Sequence, residues 1–166
     1  MSLALMMTTA HANDAAVYVS ANIGLLAPTT SSDIGVSVDN TTSYGVMLGY
    51  VDTENSYRTY IGGDYNQWDN GKLVDAFVGV DYFFYENPYA YTYVGLELGY
   101  SKLQEELFSQ DQSGFTPGVK LGFLVFDIPY IDVDVGYKYK LLNFDANSNI
   151  SVSHTSLLYF GVIYNF

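Results

Sequence analysis

From Ala16 onward, large apolar residues return at every second position, in runs separated by clusters of turn-forming residues. Alternation at period two marks strands with one face in an apolar environment. It predicts eight strands, near residues 16–26, 43–52, 57–67, 72–84, 89–101, 115–126, 130–141 and 152–166. Their lengths suit tilted strands that cross a bilayer, which take about 9–11 residues. The connections alternate as well. Residues 27–42, 102–114 and 142–151 are long and polar, with a shorter link at 68–71, whereas 53–56, 85–88 and 127–129 are brief.

An up-and-down barrel puts every second connection at the same end, so one rim receives loops and the other tight turns. With an even strand number both termini fall on the short-turn side. The two faces of the strands indicate the medium. One face reads Val17, Val19, Ala21, Ile23, Leu25 on the first strand, and Ala90, Thr92, Val94, Leu96, Leu98, Tyr100 on the fifth, without a charge. The other carries many Gly, several Tyr and most of the basic residues. Arg58, Lys120, Lys138 and Lys140 lie there beside Asp64, Asp75, Asp81, Glu97, Asp132 and Asp134.

A soluble ligand-binding barrel or β-sandwich would be apolar inside and polar outside. Gly weakens exposed strands, but an eight-stranded barrel has an interior only just wide enough to be filled by side chains. The Gly, Tyr and charged face is therefore assigned to the lumen and the apolar face to lipid. Buried charges are costly unless paired, so the ten ionisable residues are expected to form an ion-pair network. On the lipid face aromatics gather near strand ends. Tyr50, Tyr57, Tyr82, Phe84 and Tyr164 lie toward the short turns, and Tyr44, Tyr65, Tyr100, Phe115 and Tyr139 toward the loops. This is the pattern of two interfacial girdles.

Composition agrees. Of 166 residues, 49% are hydrophobic and 14% charged, against roughly 25% charged in soluble domains. No apolar run approaches the ~18 residues of a membrane helix. The net charge of −12 excludes a nucleic-acid partner, which needs a basic surface. The absence of Cys excludes disulfides and thiolate metal sites, and no cofactor or metal is expected. Residues 1–12, "MSLALMMTTAHA", read as the remnant of a secretory signal or an expression scar, with Ala10-His11-Ala12 matching a small-x-small cleavage site. A single barrel domain, exported and monomeric, is expected over 13–166.

The final segment, "YFGVIYNF", alternates to the terminus. Tyr159, Gly161, Tyr164 and Phe166 resemble the C-terminal assembly signal of outer-membrane β-barrel families, which implies recognition by the barrel-assembly machinery. "GVMLGY" (45–50), "GLELGY" (95–100) and "GVKLGF" (118–123) resemble strands of the small eight-stranded barrels of the opacity and OmpA/OmpX type. That resemblance implies an all-β, eight-stranded antiparallel up-and-down transmembrane barrel in the bacterial outer membrane, with periplasmic termini and lipid and lipopolysaccharide around it. It implies a non-enzymatic protein whose loops serve adhesion, interaction or envelope integrity. A narrow channel is the alternative.

Enzymatic chemistry has one thin candidate. His154-x-Ser156 resembles the His-x-Ser of lipid A deacylase barrels, and both residues phase to the lipid face. Leu157 stands where those enzymes have Asn, and no acid follows to orient the imidazole, so no catalytic residue is assigned. The loop acids Asp33, Asp39, Asp69, Glu105, Glu106, Asp111 and Asp145 form a solvated rim, or one that shares divalent cations with lipid phosphates.

Overall fold

The computed structural model describes residues 15–31, 40–52, 54–68, 71–87, 89–105, 112–128, 130–142 and 151–166. Alternation over these residues yields eight strands: β1 (Ala15–Ser31), β2 (Thr41–Asp52), β3 (Tyr57–Trp68), β4 (Gly71–Asn87), β5 (Ala90–Glu105), β6 (Gln112–Ile128), β7 (Ile131–Leu141) and β8 (Ser151–Asn165). Each pairs antiparallel with its sequence neighbours, and β1 pairs with β8 to close the barrel. Residues 1–12, read as a leader, lie outside the described residues.

Several strands run further than hydropathy predicts. β1 continues to Ser31, β5 to Glu105, and β6 begins at Gln112. The link expected at 68–71 shrinks to two residues, because Trp68 pairs with Gly71. The reason is physical: alternation of apolar residues ends where lipid ends, whereas backbone hydrogen bonding continues beyond it. At the other rim, Ser56 (φ 59°) and Tyr130 (φ 66°) take the left-handed conformation in their turns. Their carbonyls accept from Phe83 N (2.8 Å) and Asn165 N (2.9 Å), extending the neighbouring ladders.

Stepping from partner to partner around the sheet, Tyr18, Gly49, Tyr60, Gly79, Glu97, Gly118, Lys140 and Thr155, the path returns to β1 at Pro28, ten residues beyond its start. A stagger of ten over eight strands corresponds to a tilt of roughly 40°. On β6 the outward residues run from Phe115 to Val125, all exposed. At about 3.3 Å per residue and this tilt they cover roughly 25 Å of height, the height of the apolar band on membrane barrels. Pro117 interrupts this strand without harm. The β6–β7 ladder ends at Gly118–Lys140, and a residue without an N–H is tolerated where one side of a strand is unpaired.

Inside, side chains stack in three levels. Tyr18, Phe83, Tyr91, Leu124 and Ile163, with Val51 against them, close the short-turn end. Leu26, Leu73, Leu103, Leu142 and Leu157, with Trp68, close the loop end. The charges lie between. Four inward tyrosines each face a glycine across the ladder: Tyr18 and Gly49, Tyr60 and Gly79, Tyr93 and Gly122, Tyr159 and Gly136. At each of these glycines a Cβ would collide with the tyrosine ring. The pairs let bulky rings lie flat across a narrow bore.

Gly161 is different, since a methyl there meets nothing nearer than 3.4 Å. Gly122→Ala is expected to lower stability by about 1–3 kcal/mol, the usual cost of overpacking, and Gly161→Ala by clearly less, because a Cβ there makes only ordinary contacts. Urea midpoints of the two variants refolded into phospholipid vesicles test this. Equal midpoints would mean that the Tyr93 ring has somewhere else to go.

Candidate functional site

The lumen charges come from five strands and meet near the axis. Arg58 on β3 donates from Nε to Asp81 Oδ2 (2.5 Å) and from Nη2 to Asp134 Oδ2 (2.7 Å). Since β3 and β7 stand on opposite walls of the closed sheet, the second bond spans the bore. Lys120 Nζ lies 3.0 Å from Asp81 Oδ2. The Tyr60 hydroxyl is 3.0 Å from both Asp81 Oδ1 and Glu97 Oε1, joining this group to the next.

Above it, Lys138 Nζ contacts Asp64 Oδ2 (3.2 Å) and Glu97 Oε1 (3.3 Å). Lys140 contacts Asp64 Oδ2 (3.2 Å), Glu97 Oε2 (3.6 Å) and Asp75. Asp75 also accepts from Ser101 Oγ (2.5 Å) and Thr116 Oγ1 (3.3 Å). Rings complete the cage: Arg58 lies over Tyr93 (4.5 Å), Lys120 over Tyr60 (4.3 Å) and Lys138 over Phe77 (4.3 Å). Tyr93 donates to Asp134 Oδ1 (2.6 Å) and is bonded to the Tyr159 hydroxyl.

Nine of the ten residues expected in the network thus form one connected cluster, each at most 5% exposed. The tenth, Asp132, shares a face with Lys138 and Lys140 but not their level. The structure puts it lower on β7, at the short-turn end, where it accepts from Asn165 Nδ2 (2.7 Å). Lys138 is six residues further along the same strand, so parity identifies the wall but not the height.

The C-terminal segment divides by face. Tyr159 and Gly161 are buried in the lumen, while Tyr164 and Phe166 are exposed outside with rings 5.1 Å apart in an edge-to-face contact. Phe166 N donates to Val17 O (2.9 Å), so the last residue is bonded into the seam. His154 and Ser156 both lie on the outer face of β8. The His154 ring packs against Tyr139 at a tilt (5.2 Å between centroids), and Ser156 Oγ accepts from the Tyr137 hydroxyl (2.8 Å). Each is engaged by an aromatic of β7, an arrangement of an interfacial girdle. The loop acids invoked for divalent cations lie outside the described side chains.

What sequence reasoning missed is the apolar interior. Met47, Phe77, Phe83, Leu124 and Ile163, and the five leucines of the upper cluster, point inward. Their register against the charged positions, odd with odd and even with even along each strand, was the available signal. The outer wall needs an apolar medium. Val46, Leu96 and Phe115 are 61–66% exposed within a continuous band of such side chains, far beyond what a protein presents to water.

No protein-family model matches the sequence, and a comparison with curated proteins finds no match. Solved structures do match. Neisserial surface protein A superposes with a TM-score of 0.74 at 21% identity, covering 90% of this chain and 97% of the other. The N-terminal β-barrel domain of OprF from Pseudomonas aeruginosa gives 0.62 at 13% identity, with 91% and 97% covered. The attachment invasion locus protein Ail of Yersinia pestis gives 0.57 at 14%, with 92% and 97% covered. The chain has the fold of the small eight-stranded outer-membrane β-barrels.

Proposed function

We propose that this protein resides in the bacterial outer membrane as a non-enzymatic barrel, with termini in the periplasm and loops outside. The loops serve adhesion, surface interaction or envelope integrity, and the barrel-assembly machinery reads the β8 terminus during biogenesis. The observation that carries this reading is the filled lumen: a connected ion-pair cluster enclosed between two apolar layers. A lumen filled in that way argues against a solute path, so interaction falls to the loops, where binding residues concentrate. The shared fold with Neisserial surface protein A and Ail supports the location.

The test is conductance in planar bilayers, after a heat-dependent gel shift has verified folding. Inserted protein is expected to be electrically silent. Discrete openings that change with Lys120→Glu would instead make the lumen a channel and overturn the filled-plug reading.

A further inference from the structure

Beside the ion-pair cluster, one stretch of the inner wall is polar and unpaired. Ser20 and Asn22 on β1, Ser43 on β2, and Asp64 and Asn66 on β3 are each at most 6% exposed. Ser20 Oγ, Asn22 Oδ1, Ser43 Oγ, Asp64 Oδ1 and Asn66 Oδ1 have no hydrogen-bond partner among the described residues. Buried polar atoms are rarely left so, and these are neighbours. Asn22 pairs with Gly45, and Gly45 with Asp64. Ser43 and Asn66 form the next inward pair toward the loops.

A glycine brings two of these oxygens together. A Cβ on Gly45 would collide with Asp64 Oδ1 and with both polar atoms of the Asn22 amide. The carboxylate from one side and the amide from the other thus lean over the same residue. On the far side of Asn22 stands Gly161. A Cβ there would meet nothing nearer than 3.4 Å, which leaves room beside the amide. Along the axis the stretch is bounded by apolar side chains. Met47 and Ile163 flank Ser20 below, and Leu157 and Tyr159 cover Gly24 above.

Charge narrows what such a place can hold. The lower group balances, with Arg58 and Lys120 against Asp81 and Asp134. In the upper group two bases, Lys138 and Lys140, face three carboxylates, Asp64, Asp75 and Glu97, so one negative charge is in excess. Both lysines approach Asp64 through Oδ2 (3.2 Å each), while Oδ1 lies over Gly45 beside Asn22. Water would satisfy the free oxygens but leave the charge, which is costly in a buried site. A divalent ion would overshoot it.

We propose that Asp64 Oδ1 and Asn22 Oδ1 hold one monovalent alkali cation of the size of sodium, and that Ser20, Ser43 and Asn66 bind the water that completes its shell. Hard cations of that radius take oxygens at about 2.3–2.6 Å, a spacing open to two atoms that crowd one glycine. The site concerns the lumen alone and is independent of what the loops bind.

Urea unfolding of the refolded barrel in neutral phosphatidylcholine vesicles is compared at about 1 mM and about 100 mM sodium chloride, with choline chloride holding the ionic strength constant. A ligand bound by the folded state alone raises the folding equilibrium by mass action, and the wild type is expected to gain at least about fivefold in that constant. Asn22→Ala removes a ligand but no charge, and Asp64→Asn removes the charge. Each is expected to lose the gain while keeping its heat-dependent gel shift. A wild type equally stable in the two salts overturns the site, and assigns the excess charge to a proton on one of the carboxyls. A gain that persists in the variants places sodium elsewhere and overturns it equally.

Discussion

Asp81→Asn is expected to cost the folded barrel about 3–5 kcal/mol, the range for breaking a buried ion pair by removing one partner. Asp81 is fully buried and faces Arg58 (2.5 Å), Lys120 (3.0 Å) and the Tyr60 hydroxyl (3.0 Å). Arg58 keeps Asp134 when Asp81 is neutralised. Lys120 is left with Glu97 at 4.0 Å and the Tyr60 ring, so most of the penalty is a buried ammonium ion that has lost its nearest carboxylate. Adding Lys120→Met should therefore recover more than about 1 kcal/mol, because it removes the stranded charge. Urea unfolding in phospholipid vesicles gives both values. A single variant within about 0.5 kcal/mol of wild type would mean that water already solvates these groups, and would favour the channel.

The second large effect lies on the other side of the wall. Leu96 is 61% exposed near mid-height of the apolar band. In a water-soluble barrel, replacing so exposed a side chain changes stability by about 0.5 kcal/mol or less. In a bilayer, Leu96→Arg puts a guanidinium near the midplane and is expected to cost about 2–4 kcal/mol. Phe115→Arg, at the loop-side girdle, should cost about 0–1 kcal/mol, because the depth penalty fades at the interface. The comparison is internal: same residue introduced, different depth. If the two variants unfold at the same urea concentration, the exposed band is not a lipid surface.

The sequence carried the faces of the wall well and its heights poorly. Alternation separated Leu96 from Glu97 and Val135 from Asp134, because a strand offers only two directions and each has one chemistry. Partner choice was illegible. Lys138 reaches Asp64 across the bore, a contact set by stagger and bore rather than by spacing along the chain. Asp132 shows the same limitation, since it shares a face with Lys138 but not a level. The inward Phe77 and Leu124 were hidden for another reason. Hydropathy scores an apolar side chain alike whether it meets lipid or a neighbouring ring, and only register tells them apart.

The ten-residue stagger at the seam implies that the girth of this molecule is quantised. A slip of β8 against β1 by one residue would turn Tyr159 out and Phe160 in, an inversion that the two media forbid. A slip by two residues inverts nothing, and would give a stagger of eight or twelve with a different tilt and diameter. Every outward residue would still look correct. The discrimination comes from the rods laid across the bore: Arg58 to Asp134, Lys138 to Asp64, and the Tyr93 hydroxyl to that of Tyr159. Each has one length. The ion-pair cluster is in this sense a calliper, and loosening it should blur the diameter of the barrel before it unravels any strand.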